Sequence, residues 1–162
     1  MEVFEFALQM EKDGEAFYRD LARKAGPNSG VGRILTILAN AEVKHYAAIE
    51  AMQKEQFGYS RQLIMEEAKN IFQEIRDSGQ KTFDLEGKQL EAYRTAQELE
   101  QKSRDYYLLQ AEEMKNSPAG EIFATLAAEE ERHYDLLDSI AEFVSRPERW
   151  LENAEFTKLE EY

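Results

Sequence analysis

The chain has no cysteine. Disulfides, zinc–thiolate sites, iron–sulfur clusters and thiol catalysis are therefore excluded for it. Glycine and proline are scarce, 8 and 3 in 162 residues. Ala, Glu, Leu, Lys and Gln are plentiful instead, the composition of a mostly helical protein. Basic residues are outnumbered, 20 against 33 acidic ones, for a net charge of −13. That balance argues against nucleic acid as a partner, because phosphate binding needs a basic patch. No apolar run approaches the ~18 residues that a membrane span requires, so no membrane association is expected. The opening Met1-Glu2-Val3-Phe4-Glu5 is acidic and does not read as a signal peptide, which makes a cytoplasmic location the expectation. The length fits a single domain over residues 1–162. No Ser-His-Asp arrangement and no Gly-rich phosphate loop stands out.

Histidine is also rare, and both copies sit in the same context. Positions 119, 123, 126, 130, 133, 137, 140 and 144 are Ala, Phe, Leu, Glu, His, Leu, Ile and Val. Spacings of three and four place all of them on one face of a helix. Glu130 and His133 therefore interrupt an apolar stripe and look into the core. Positions 31, 35, 38, 42, 45, 49 and 52 are Val, Leu, Leu, Glu, His, Ile and Met, so Glu42 and His45 repeat the pattern. A buried carboxylate is costly unless it is paired or bound to a metal.

The rest of the chain supplies the scaffold. Residues 2–25 read as a helix with Phe4, Leu8, Tyr18, Leu21, Ala22 and Ala25 on its apolar side and Glu11 in the same stripe. Gly14 lies one turn after Glu11, where a small residue lets a neighbouring helix approach. Gly26-Pro27-Asn28-Ser29-Gly30 makes a turn. A second helix is expected over 31–56, and a shorter one over 61–77 that Ser60 would cap. The shorter one reads as a crossover element, since no unusual polar residue interrupts its stripe. After a break at 78–82, a third long helix spans 84–116, with Leu90, Tyr93, Ala96, Tyr107, Ala111 and Met114 inward and Glu100 among them. A fourth, 118–145, starts on Pro118 and carries Glu130 and His133. The tail, with Trp150, Leu151 and Phe156, reads as a short helix packed outside. Most acidic side chains, Glu15, Glu129 and Glu131 among them, are expected on a solvated surface.

The two halves repeat. Glu11 to Tyr18 aligns with Glu100 to Tyr107, and Ala41 to Tyr46 aligns with Glu129 to Tyr134, at offsets of 89 and 88 residues. Each half is a helical hairpin with one lone Glu and one Glu-x-x-His. Together they bring Glu11, Glu42, His45, Glu100, Glu130 and His133 to the middle of one four-helix bundle. Four carboxylates carry a charge that two divalent ions would neutralise. Two can bridge, two can each cap one ion, and each imidazole can complete one. Oxygen-rich ligation with one imidazole per ion suits iron or manganese, two ions to a site. A lone Glu from each of two helices with Glu-x-x-His from the other two is a known pattern of ferritin-like carboxylate bundles. The metal-free alternative is a buried network of Glu, His, Tyr and Arg. It is disfavoured by mutual repulsion, because Lys44 and Arg132 point to other helix faces.

On these residues the chain resembles the rubrerythrin-like branch of the ferritin-like superfamily, over about residues 1–145. The resemblance implies an all-α ferritin-like four-helix bundle, with a crossover helix between the hairpins and a short C-terminal helical tail. It implies that Tyr18 and Tyr107 hydrogen-bond near the ligands, although an inward tyrosine is as often plain core. It implies a non-haem di-iron oxidoreductase using hydrogen peroxide or dioxygen, peroxidase-like and protective against oxidative stress. An iron-handling protein with ferroxidase activity only is the alternative, and a partner-binding bundle with a relic site is a third. A homodimer is implied as well, and self-contained hairpins permit their exchange between two chains. Two departures stand out. Many rubrerythrins carry a Glu where Ser103 stands, so an extra carboxylate ligand there is in doubt. Full-length relatives also carry a four-cysteine rubredoxin domain. Without cysteine, any electron donor, for example a rubredoxin-like protein, is a separate molecule.

Overall fold

The periodic segments form five helices: α1 Val3–Ala25, α2 Gly30–Gln53, α3 Met65–Ser78, α4 Lys88–Glu113 and α5 Pro118–Ser145. This is a computed structural model, and it describes residues 2–78 and 88–145. Among the described residues there is no strand. Residues 79–82 of the expected break at 78–82, the beginning of the third long helix before residue 88 and the C-terminal tail with Trp150, Leu151 and Phe156 lie outside them. No described helix is long and apolar enough to cross a membrane.

α1 packs on α2 and α4 on α5, so each half is a hairpin, and the two hairpins face each other. Apolar side chains gather in two clusters, one towards each end of the bundle. The larger contains Tyr18, Leu35, Leu38, Tyr93, Ala96, Leu137 and Ile140, and α3 adds Met65, Ala68, Ile71, Phe72 and Ile75 to it. The smaller contains Ala7, Ile49, Met52, Tyr107, Phe123 and Leu126. Along every long helix the polar residues of interest fall between the two clusters. On α1 Glu11 lies between Ala7 and Tyr18, and on α2 Glu42 and His45 lie between Leu38 and Ile49. On α4 Glu100 lies between Ala96 and Tyr107, and on α5 Glu130 and His133 lie between Leu126 and Leu137. The fold thus sandwiches one polar layer between two dry ones. The crossover reading of α3 agrees with its place on the outside of α2 and α5.

The helix starts extend the internal repeat. Ser29 Oγ accepts from the Gly32 N–H at 3.0 Å, and Ser117 Oγ accepts from the Gly120 N–H at 3.1 Å. Such caps satisfy one of the free N–H groups of a first helical turn. Both glycines pass so close to the preceding turn that a Cβ would stand 2.0 Å from the Gly26 carbonyl oxygen and 2.2 Å from that of Met114.

Three expected boundaries move, one of them the end of α4, which lies at Glu113 rather than 116. α2 stops at Gln53 rather than 56, because the Gln56 N–H returns to the Ala51 carbonyl at 2.9 Å and Glu55 takes φ 58°. This is the closure of a helix end through a left-handed residue. α3 starts at Met65, so Ser60 does not cap it. Tyr59 and Gln62, in the connection before it, are engaged on Glu129.

Gly120→Ala is expected to destabilise the metal-free protein by about 1–3 kcal/mol, because backbone must shift to admit the methyl. Gly58→Ala, whose Cβ meets nothing within 4 Å, serves as the control. Urea unfolding of both decides, and equal midpoints would disprove the close-approach argument.

Candidate metal centre

All six singled-out residues meet in the polar layer. Glu11, Glu42, His45, Glu100, Glu130 and His133 are between 0% and 4% exposed. Their ligand-type atoms form two overlapping groups, each within 4.8 Å: Glu11, Glu42, His45 and Glu130, then Glu42, Glu100, Glu130 and His133. Glu42 and Glu130 belong to both. His45 Nδ1 lies 2.9 Å from Glu130 Oε1 and 3.5 Å from Glu11 Oε1. His133 Nδ1 lies 3.4 Å from both Glu42 Oε1 and Glu100 Oε1. The imidazoles are stacked, with centroids 5.6 Å apart and planes inclined by 8°.

Several atoms at the centre lack hydrogen-bond partners. Glu11 Oε2, Glu100 Oε2, Glu130 Oε1 and the Nδ1 atoms of both histidines are buried and make no hydrogen bond. Buried polar atoms of native proteins are nearly always satisfied. His45 Nδ1 and Glu130 Oε1 lie at hydrogen-bonding distance without hydrogen-bonding geometry. Lone-pair donors that converge but do not bond one another suit a shared cation. The donor set, carboxylate oxygens with one imidazole on each side, suits a hard to borderline divalent ion.

The two tyrosines hold the lone glutamates crosswise. Tyr18 on α1 donates its hydroxyl to Glu100 Oε1 on α4, and Tyr107 on α4 donates to Glu11 Oε1 on α1. Both are buried, at 3% and 0% exposure. Each bond engages Oε1 and leaves the buried Oε2 without a hydrogen bond.

Glu129 corrects the sequence reading. It was expected in solvent and is 3% exposed. Its Oε2 lies 2.9 Å from His45 Nε2 and accepts from the Tyr59 hydroxyl at 2.7 Å, while its Oε1 accepts from the Gln62 N–H at 2.6 Å. Leu126, Glu129, His133 and Leu136 recur at spacings of three and four, a signal that neighbouring Glu130 obscured. Tyr59 and Gln62, in the α2–α3 connection, gave no signal. Glu15 and Glu131 lie nearer the surface and pair with Arg19 and Arg104. Arg132 is buried too, a cation that the sequence did not place inside.

The electrostatics follow from burial and crowding. Burial, then the charges of Glu11, Glu130 and Glu100, push the Glu42 carboxyl well above the usual range. Burial and Glu100 do the same to Glu130. For Glu11 burial acts upwards, but the charge of His45 and the hydrogen bond from Tyr107 bring the carboxyl down. Glu100, against the same burial, is brought to about 2 by the charge of His133 and the hydrogen bond from Tyr18. Burial lowers His45, but Glu11, Glu129 and Glu42 outweigh it and raise the imidazole well above its ordinary value. Glu129 is lowered despite burial, by His45, the Gln62 N–H and Tyr59. Burial and nearby carboxylates raise both Tyr18 and Tyr107, so the phenols keep their protons.

These shifts set a pH dependence for the metal-free fold. Glu42, Glu130 and His45 bind protons more tightly folded than unfolded. The stability they contribute is present at lower pH and lost as pH rises through their folded values. Glu11, Glu100 and Glu129 act with the opposite sign, but their contribution is lost only in acid. The melting point of chelator-treated protein is therefore expected to be several degrees lower at about pH 8 than at about pH 6. Calorimetry on wild type and a Glu42→Gln/Glu130→Gln variant checks this. The variant should show a smaller difference, and an unchanged difference would refute the assignment.

A cavity of about 320 Å³ between α1 and α4 reaches this layer and touches Glu42, Glu100 and Glu130. Comparison with curated proteins and with solved structures finds no match. The family model described as rubrerythrin does match, over residues 2–141. That span covers both hairpins and all six converging residues, so the chain belongs to the rubrerythrin family.

Proposed function

We propose that the protein is a dinuclear non-haem iron oxidoreductase that reduces hydrogen peroxide to water, with dioxygen as a second oxidant. One observation carries the reading: two buried donor groups that overlap in Glu42 and Glu130. In it, Glu11 with His45 would hold one ion, Glu100 with His133 would hold the other, and Glu42 and Glu130, common to both groups, would serve both. Two divalent ions balance the four carboxylates. When bound, reduced iron supplies electrons and polarises the O–O bond.

The chain's own groups do the rest. The Glu129 carboxylate holds His45 through Nε2 and leaves Nδ1 turned to the centre. Partners of this kind orient a ligating imidazole and typically change metal affinity by ~10–100-fold. Tyr18 and Tyr107 fix the lone glutamates and stay protonated. Glu42, Glu130 and His45 give up their protons on loading, so affinity rises with pH. The α1–α4 cavity admits the oxidant, and the apolar clusters on either side keep bulk water out.

Elemental analysis after anaerobic iron loading should find two ions per chain in wild type. It should find less than about one in Glu42→Ala and in Glu130→Ala, each of which removes a ligand common to both ions. Reduced, loaded protein should be oxidised by peroxide faster than iron in buffer, and sustained turnover with a separate electron donor separates an enzyme from an iron-handling protein with ferroxidase activity only. No uptake of iron would sink the reading.

One chain supplies all six residues here, and exchange of hairpins in a homodimer would rebuild the same site from two. Mixing Glu42→Ala with Glu130→Ala chains tests this under refolding conditions. A swapped dimer regains one intact site and binds iron again; an unswapped one has none.

A further inference from the structure

We propose that the cavity between α1 and α4 binds an organic hydroperoxide, with its apolar body against the walls and its O–O end at the buried carboxylates. This rests on the peroxidase reading and adds the class of peroxide that the site accommodates.

Size is the first argument. A cavity of ~150 Å³ holds benzene, and this one measures about 320 Å³. It has room for a substituted aromatic ring or a branched chain, far more than hydrogen peroxide occupies. The walls are the second. Phe6, Met10 and Phe17 on α1 face Leu99, Ser103 and Tyr106 on α4. Spacings of four and seven on α1 and of four and three on α4 set each trio along one side of its helix, so two largely apolar stripes confront each other. Apolar walls with a few placed polar groups are how small-molecule sites are built.

The third argument is the opening onto the carboxylate layer. Gly14 lies three residues after Glu11, and Ser103 lies three after Glu100. A Cβ at Gly14 would stand 3.4 Å from Glu42 Oε2, so a longer side chain there would cover that carboxylate. Ser103 is the small counterpart on α4, and its hydroxyl, 3.9 Å from the Met10 sulfur, is a polar group on the wall. Small residues at both related positions leave the passage clear. Glu42, Glu100 and Glu130 form the floor, and Lys102 and Asp13, of opposite charge, also line the cavity.

The step balances as ROOH plus two electrons and two protons giving ROH and water. The O–O bond breaks, the inner oxygen stays on carbon as the alcohol and the outer one leaves as water. The electrons come from the reduced metal pair of the reading above, and the protons from solvent.

Two measurements test the proposal, and the first needs no metal. Metal-free protein with labelled methionine methyls is titrated with 2-phenyl-2-propanol, the alcohol that cumene hydroperoxide yields. The Met10 resonance should shift saturably. Ser103→Phe fills the cavity from α4, and Leu99→Trp narrows it at the rim, where Phe6 and Leu99 are 42% and 41% exposed. Either variant should weaken binding by about tenfold or more, the scale on which apolar pockets discriminate. In the second measurement, iron-loaded reduced protein is mixed with cumene hydroperoxide or with hydrogen peroxide. The variants narrow the entry of both oxidants, so the rate with the organic oxidant should fall about tenfold or more further than the rate with hydrogen peroxide. Absence of saturable binding, equal slowing of both oxidants, or loss of alcohol binding as the protein self-associates in sedimentation overturns the proposal. Failure of the organic peroxide alone overturns only this inference; failure of hydrogen peroxide too overturns the peroxidase reading and this one with it.

Discussion

Negative charge withdrawn from water is the constraint on which this structure turns. Glu11, Glu42, Glu100 and Glu130 lie in one layer, each nearly inaccessible. Two like charges about 4 Å apart repel by roughly 4 kcal/mol at the effective dielectric typical of protein sites, and four such groups make several pairs. Without ions the layer holds protons instead: Glu42, Glu130 and His45 retain them to higher pH than usual, and Tyr18 and Tyr107 brace the two carboxylates that stay charged. A purely structural network would pair its donors with its acceptors. Here the central lone pairs converge and do not bond one another, which is the arrangement that a pair of cations stabilises and a protonated network leaves frustrated.

The internal repeat explains how so dense a site arises, and its breaks distinguish the two sides. Glu11 and Glu100, Tyr18 and Tyr107, the two Glu-x-x-His pairs and the two Ser-capped, Gly-tight helix starts all correspond. Glu129 does not, since its counterpart is Ala41. Glu129 therefore anchors His45 and is itself held by Tyr59 and Gln62, while the Gln62 side chain also donates to the Ala41 carbonyl at 3.4 Å. The α2–α3 connection is tied to one half of the centre through these bonds. His45 and His133 thus face the same centre with different surroundings, and two ions bound there would be inequivalent.

Much of this was legible because burial leaves a period in the sequence. Glu42, His45, Glu130 and His133 were visible as polar interruptions of apolar stripes, and Glu11 and Glu100 as their partners in the repeat. Proline and glycine marked the turns before α2 and α5. What escaped has a common cause, dependence on contacts distant in sequence. Glu129 stands beside Glu130 and looked like one more surface acid. Tyr59 and Gln62 lie outside any helix, where no period exists to betray burial, and the late start of α3 follows from their engagement on Glu129. Arg132 lies on a face expected to be outside, but α5 is buried over most of its circumference.

Packing within each hairpin is close, whereas the hairpins approach each other less closely. Between them stand the two apolar clusters and, at mid-height, the carboxylate–imidazole layer. The hydrogen bonds Tyr18–Glu100 and Tyr107–Glu11 and the contact of His45 with Glu129 all cross from one hairpin to the other. The site is therefore a clasp between halves as well as a candidate reaction centre. Whatever occupies it draws the hairpins together, and ligands that bind only the assembled state stabilise that state. The same geometry explains why the cavity lies between α1 and α4. These helices come from different hairpins, and one turn beyond each lone Glu they present Gly14 and Ser103, too small to close the gap.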